Sequence, residues 1–119
     1  MSKIKLYGIP NCDTVKKALA FLKKLNTTIE FHDYKKDGIS KAKLKEWVSV
    51  HPVNLLLNKK STTWRLLPEK KQREAQSEEG ALQLMQEYPN LIKRPVAEIS
   101  GTVLLGFNEV AYKAALNIQ

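Results

Sequence analysis

Apolar and basic residues alternate over residues 3–6, a period of two that is typical of a strand with one buried face. In the next segment the apolar positions change to helical spacing, at Val15, Ala18, Leu19 and Leu22. Asp13 or Thr14 is a candidate cap for this helix, which is predicted to end near Asn26. Residues 28–34 are rich in β-branched and aromatic residues, which predicts a second strand. Two strands joined by a helix of this length predict a parallel βαβ unit.

The middle of the chain, about residues 40–90, is predicted to be a helical insertion. Ser40 is a candidate cap for its first helix, and residues 62–67 fit one short helical turn. The charged stretch 69–79 has no clear period, so we expect a loop or the solvated start of a helix. Ser77 is a candidate cap for a further helix. The apolar positions of that helix are Ala81, Leu84, Met85 and Tyr88.

The last third of the chain contains two short apolar runs around a turn at Ser100 and Gly101. This arrangement predicts a β-hairpin over residues 96–105. Asn108 is a candidate cap for a final helix. Its buried side is predicted to consist of Val110, Ala111, Ala114 and Ala115. The order βαβ, insertion, ββα predicts an α/β fold in one domain over residues 1–119.

Length and composition exclude some classes of protein. The 119 residues are 43% hydrophobic, which suffices for one domain with a sizeable core. A single cysteine excludes an internal disulfide, and no apolar stretch approaches the roughly 18 residues of a membrane span, so we expect no membrane partner. The N-terminus, from Met1 to Lys3, leads into the first strand without an apolar signal region, which predicts a cytoplasmic location.

The formal net charge of +8 indicates attraction to anions without specifying a partner. Lysines on solvated helix faces account for much of this charge, so we do not expect nucleic acid as a partner. His32 and His51 have no companions at metal-ligand spacing, and we expect no metal site.

The only cysteine, Cys12, lies where the first predicted strand passes into the first predicted helix. Free N–H groups and the positive end of the helix dipole favour an anion there, so this thiol should ionise more readily than a free cysteine. A small buried hydrophobe is the alternative interpretation. Asn11 and Thr14 are close enough in sequence to hydrogen-bond a thiolate, although capping of the helix explains Thr14 equally well.

Several separated blocks of the sequence resemble a family of small thioredoxin-fold proteins. This family is related to the arsenate reductase that uses glutathione and glutaredoxin, and it includes the Spx regulators and the YffB-like proteins. The matching blocks are residues 7–17, 31–34, 37–38, 56–59, 62–65, 91–95 and 106–107. They are most similar to the YffB-like branch, for which a glutathione-dependent thiol reductase role has been suggested. The resemblance implies a thioredoxin-like fold with a four-stranded mixed sheet and a helical insertion between its halves.

The same resemblance implies roles for particular residues. Cys12 corresponds to the nucleophile and Arg94 to the arginine beside it. Pro95 corresponds to a cis proline that shapes the groove for a thiol substrate. Asn58 falls where the family holds its substrate, and Arg65 or Lys59 is a candidate to replace an arginine missing there. Asn11 and Thr14, which flank the cysteine, complete the expected substrate-binding set. No bound cofactor is implied; glutathione is the expected co-substrate, and a small thiol or a protein disulfide is the expected partner.

Three positions depart from the pattern of the family. The arsenate reductases have two further arginines where this chain has Asn58 and Gly106, and redox-active Spx proteins have a second cysteine where it has Val15. A monothiol reductase that uses glutathione is therefore the predicted function. The alternatives are a glutathione- and glutaredoxin-coupled arsenate reductase, and an Spx-like regulator that binds RNA polymerase without turnover.

Overall fold

The computed structural model describes residues 3–117, and its sheet has four strands. They are β1 (Lys3–Gly8), β2 (Thr28–Asp33), β3 (Val96–Ile99) and β4 (Thr102–Leu105), in the spatial order β2-β1-β3-β4. β1 is parallel to β2 and antiparallel to β3, and β3 is antiparallel to β4. This is the predicted mixed sheet with its βαβ and ββα halves, and it confirms the thioredoxin-like α/β fold.

Eight α-helices lie in the described part of the chain. They are α1 (Asp13–Lys24), α2 (Tyr34–Asp37), α3 (Lys41–Val48), α4 (Val53–Leu56), α5 (Thr62–Leu66), α6 (Glu69–Glu74), α7 (Glu78–Glu87) and α8 (Glu109–Ala115). A 3₁₀ turn at Pro89–Leu91 follows α7. Tyr34, which was predicted to extend the second strand, begins α2 instead. The charged stretch 69–79, predicted as a loop or a helix start, contains α6 and the first turn of α7.

The described residues form two compact units. One consists of residues 3–33 and 94–117 and contains the whole sheet with α1 and α8. The other, residues 34–93, contains α2 to α7 and includes the predicted insertion. Met1 and Ser2, on which the expected cytoplasmic location partly depends, lie outside the described residues. Among residues 3–117 no helix is long and apolar enough to cross a bilayer.

The core of the sheet unit lies between β1, β3, α1 and α8. Its fully or nearly fully buried members are Ile4, Leu6, Val15, Ala18, Leu22, Ala97, Ile99, Tyr112 and Leu116. The even-numbered side chains of β1 point into this core, as the alternation at residues 3–6 predicts. The apolar face of α1 covers one side of it, so the helix that begins at Cys12 is anchored along its length.

The buried side of α8 differs from the prediction. Val110 is 78% exposed and Ala114 is also exposed, whereas Tyr112 and Leu116 are buried. These two larger side chains are four positions apart on one face, and they remove more apolar area from water than the alanines could. Helical spacing alone did not show which of the two faces is inside.

Three predicted caps are confirmed. The side-chain oxygen of Ser40 accepts from the N–H of Lys43 at 3.1 Å, and that of Asn108 accepts from Ala111 at 2.9 Å. Ser77 accepts from the N–H of Gly80 at 3.0 Å and so starts α7. Each cap satisfies one N–H that a helix start leaves without an intrahelical partner.

We predict that Gly80→Ala destabilises residues 34–93. A Cβ at Gly80 would collide with the backbone carbonyl of Glu74, which cannot move as a side chain could. We expect the free energy of unfolding to fall by about 3 kcal/mol, measured by urea denaturation. Gly38→Ala is the control: apart from its chain neighbours, no described residue has an atom within 4 Å of a Cβ there. Its only expected cost is the strain of a φ of +66°, about 1 kcal/mol. Equal losses for the two variants would contradict the packing argument.

Candidate active site

Cys12 itself is the N-terminal cap of α1. Its φ of −137° and ψ of 124° are extended, and its carbonyl accepts the first helical hydrogen bond from the N–H of Lys16 at 2.9 Å. The prediction that Asp13 or Thr14 caps this helix is therefore wrong, because Asp13 is already the first helical residue. The side chain of an extended cap residue points at the N–H groups of the second and third helical positions. In this helix those positions are Thr14 and Val15, and the group that meets them is sulfur.

The pKa of the Cys12 thiol is lowered from its ordinary value. Partial burial is the largest single influence and opposes ionisation. It is outweighed by the backbone N–H of Val15, the side chain of Arg94 and the backbone N–H of Thr14, which all favour the thiolate. Cys12 is half-buried: it packs partly against the core of the sheet unit and keeps part of its surface accessible. Its role as a nucleophile stays a prediction.

Arg94 lies two residues before the start of β3, and its side chain reaches Cys12. It favours the thiolate both by a hydrogen bond and by its charge. The peptide bond between Arg94 and Pro95 is cis, as the family resemblance implies, and Pro95 is buried. β3 pairs with β1, with Val96 opposite Tyr7, so the sheet places Arg94 beside the loop that leads to Cys12.

Gly8 allows β1, α1 and the cis proline to pack closely. A Cβ at this buried position would lie 2.8 Å from Cγ2 of Val15 and 3.9 Å from Cα of Pro95. The neighbour that would have to move is thus the residue whose N–H stabilises the thiolate most among the backbone groups. The hydrophobic pattern of the sequence indicates no role for Gly8. A glycine at a strand end just before a helix is the signal that could have suggested one.

Pro95 is also held from its other side. Its carbonyl accepts from the N–H of Gly106 at 2.7 Å, and the carbonyl of Gly106 accepts from the hydroxyl of Tyr112 at 2.7 Å. Burial raises the pKa of Tyr112, which keeps its hydroxyl protonated and able to donate. Gly106 has a φ of +82°, a conformation that favours glycine. The sequence pattern did not indicate Tyr112, because the exposed Val110 and Ala114 were predicted on the buried side of α8 in its place.

The remaining predicted site residues divide between the two units. Asn11 and Thr14 are exposed next to Cys12, and Thr14 acts on the sulfur through its backbone N–H. Asn58 and Arg65 belong to residues 34–93 and have structural partners there. The N–H of Asn58 donates to Leu91 at 2.7 Å, and the exposed Arg65 donates from Nη2 to the carbonyl of Lys60 at 3.2 Å. A substrate-binding role for these two remains a prediction.

No cluster of three or more His, Cys, Asp or Glu side chains with metal-site geometry occurs within residues 3–117. The described site brings together one thiol, one guanidinium and backbone N–H groups.

The family of this chain follows from comparison with known proteins. The model of the ArsC family matches residues 7–115. The chain belongs to the ArsC family. The match includes Cys12, Arg94 and Pro95. It also includes β2 to β4 and the last two residues of β1. The family resemblance inferred from the sequence blocks is thereby confirmed.

Three relatives show how far the similarity extends. An uncharacterized protein of Haemophilus influenzae is 44% identical over 112 residues, which are 94% of this chain and 97% of the relative. The structure of the YffB protein superposes with a TM-score of 0.90 at 42% identity, covering 95% of this chain and 98% of that one. An arsenate reductase (ArsC) related protein from Brucella melitensis has a TM-score of 0.72 at 39% identity, covering 94% and 92%. Fold, family and thiolate together support a thiol reductase in general terms.

We predict that Arg94→Ala raises the pKa of Cys12. The variant removes one hydrogen bond and one charge that favour the thiolate, while burial still opposes ionisation. The measurement is the rate of alkylation by iodoacetamide against pH, with its midpoint taken as the pKa. Arg94→Lys should give an intermediate midpoint, because an ammonium keeps the charge without the fork of donors.

Arg73→Ala is the matched control for this prediction. Arg73 is exposed in α6 and pairs with Glu69 at 3.3 Å, so its loss removes the same charge at a place remote in sequence and in a different unit. The midpoint of Cys12 should not change. Equal midpoints for Arg94→Ala and the wild type would show that the guanidinium does not activate the thiol.

Proposed function

We propose that this protein is a monothiol reductase that uses glutathione to reduce mixed disulfides. The observation that carries the proposal is the thiolate at the cap of α1, which two backbone N–H groups and Arg94 stabilise together. A lowered pKa raises the fraction of nucleophilic thiolate and makes the same sulfur a better leaving group. Both properties are needed by an enzyme that must form a disulfide and then give it up.

The proposed reaction has two exchange steps. The Cys12 thiolate attacks the glutathione sulfur of a mixed disulfide; a bond forms between those two sulfurs, and the reduced substrate leaves as a thiolate. A thiolate of free glutathione then attacks the glutathione sulfur bound to Cys12, which releases oxidised glutathione and regenerates the Cys12 thiolate. In the net reaction one mixed disulfide and one free glutathione give one reduced substrate thiol and one oxidised glutathione. The free glutathione supplies the reducing equivalent and the proton, and the glutathione already in the mixed disulfide stays oxidised.

The cysteine count supports an external resolving thiol. Cys12 is the only cysteine of the 119 residues, so no second thiol of the same chain can attack the mixed disulfide. Val15, at the position where redox-active Spx proteins have their second cysteine, is fully buried in the core. A redox switch of that type is therefore unsupported, while a binding role of the Spx kind makes no use of the activated thiol.

Arsenate reduction is the competing enzymatic function, and the residues do not favour it. The oxyanion would have one arginine, and each missing charge-assisted hydrogen bond costs about 1.5–3 kcal/mol. The arsenate reductases have an arginine at the position of Gly106. Gly106 has a φ of +82°, a conformation in which any other residue would be strained. Its N–H donates to the carbonyl of Pro95, and its carbonyl accepts from the hydroxyl of Tyr112.

We predict one reversible glutathione adduct on Cys12. Mass spectrometry of the folded protein after exposure to oxidised glutathione should show a single adduct, which excess reduced glutathione removes. Arg94→Ala should slow adduct formation by about tenfold, the loss expected for one charged hydrogen bond to the reacting anion. The folded state should change little, which thermal unfolding of the same variant would measure.

Cys12→Ser is the control for this adduct and for the enzyme activity. It should form no adduct and should not reduce a glutathionylated peptide. Full thiol-reductase activity in Cys12→Ser, or no adduct on the folded wild type, would contradict the proposed function. The Spx-like interpretation, a binding role without turnover, would then take its place and could be tested by binding to RNA polymerase.

We predict that arsenate is a poor substrate. In an assay coupled to glutathione and glutaredoxin, turnover should stay at the level of Cys12→Ser, because a single arginine holds the oxyanion too weakly. An established arsenate reductase serves as the positive control of the assay. Efficient turnover by this protein would show that other donors replace the two missing arginines.

A further inference from the structure

The first helix carries an unbalanced positive charge close to the reactive sulfur. Lys16, Lys17, Lys23 and Lys24 are all exposed on α1. Within residues 3–117 none of these four lysines forms an ion pair. Asp13 is the only acidic residue of the helix. The lysines of β1 differ in this respect, because Lys3 and Lys5 both pair with Glu30.

Two of the four lysines are near enough to Cys12 to act on an approaching molecule. Lys16 and Lys17 follow one turn after the cap, at a rise of about 1.5 Å per residue, and helical side chains tilt back towards the N-terminus. Lys16 and Lys17 thus lie only about 6 and 7.5 Å further along the helix axis than Cys12, within the screening length of about 8 Å at physiological salt. Lys23 is about 16 Å further along the axis than Cys12, beyond the screening length of about 8 Å at physiological salt.

We infer that Lys16 and Lys17 make the active site selective for anionic disulfides, such as glutathione mixed disulfides and disulfides in acidic segments. This inference rests on the proposed function and names its substrate class. The two charges raise the local concentration of an anionic substrate before its sulfur reaches Cys12. Arg94 stabilises the thiolate of Cys12, whereas the two lysines raise the rate at which an anionic substrate encounters the site.

The test compares two double variants with the same net charge. Lys16→Glu/Lys17→Glu reverses the charges near Cys12, and Lys23→Glu/Lys24→Glu reverses those at the far end of the same helix. The readout is the ratio of alkylation rates with iodoacetate, which is anionic, and iodoacetamide, which is neutral. The ratio cancels any change in the fraction of thiolate, because both reagents attack the same anion.

Coulomb energies with screening set the expected size. The ratio should fall by roughly threefold near 0.1 M salt and by roughly eightfold near 10 mM salt in Lys16→Glu/Lys17→Glu. Near 0.1 M salt it should change by less than about twofold in Lys23→Glu/Lys24→Glu. Lys16→Gln/Lys17→Gln should lie midway, which separates charge from any disturbance of the helix. Equal changes in the two Glu variants, or none in either, would overturn the inference.

Disulfide substrates distinguish this inference from the proposed function. Oxidised glutathione is net anionic, hydroxyethyl disulfide is neutral and cystamine is cationic. For each disulfide, the rate with the protein is divided by the rate with a free small thiol. In the wild type this relative rate should be highest for oxidised glutathione, lower for hydroxyethyl disulfide and lowest for cystamine. In Lys16→Glu/Lys17→Glu the relative rate for cystamine should exceed that for oxidised glutathione. If the alkylation ratio behaves as expected but no disulfide reacts, the selectivity stands and the reductase proposal fails. If all three disulfides react at charge-independent relative rates, the reductase proposal stands and the selectivity fails.

Discussion

The close contact of β1, α1 and the cis proline is the constraint on which the site depends. A thiolate keeps a low pKa only while its donors stay in place, since partial burial alone would raise it. The N–H of Val15 is one donor, and the side chain of Val15 packs where Gly8 has no Cβ. Pro95 borders the same space, and Arg94 precedes it. Because Gly8 has no Cβ, the start of α1 and the segment of Arg94 can both lie close to the same sulfur.

The support of Arg94 extends away from the sulfur through backbone hydrogen bonds. Gly106 holds the carbonyl of Pro95, and Tyr112 holds the carbonyl of Gly106. Tyr112 is buried in the core beneath the sheet, so the arginine side of the site is tied to the rigid part of the fold. The donors and the sulfur come from distant parts of the sequence, and the antiparallel pairing of β3 with β1 brings them together.

Much of the fold could be predicted because local patterns and tertiary packing agree in it. The alternation at residues 3–6 and the oxygen caps at Ser40, Ser77 and Asn108 all reappear in the structure. Two features of the site could not be predicted this way. Cysteine is not among the residue types usually found at helix caps, although Cys12, with its extended backbone, occupies the cap position of α1. The proximity of Arg94 to Cys12 depends on strand pairing, and only the family resemblance indicated it.

The donor set of the site suits sulfur exchange better than oxyanion chemistry. In a thiol–disulfide exchange the negative charge is spread along three sulfurs, and the protein must stabilise the one that alternates between nucleophile and leaving group. Two N–H groups and one guanidinium at Cys12 do this at a fixed place. A tetrahedral oxyanion presents several oxygens, each needing its own donor. At Gly106 the N–H is already committed to Pro95 and the backbone conformation favours glycine, so the position that could supply a further donor supports the arginine instead.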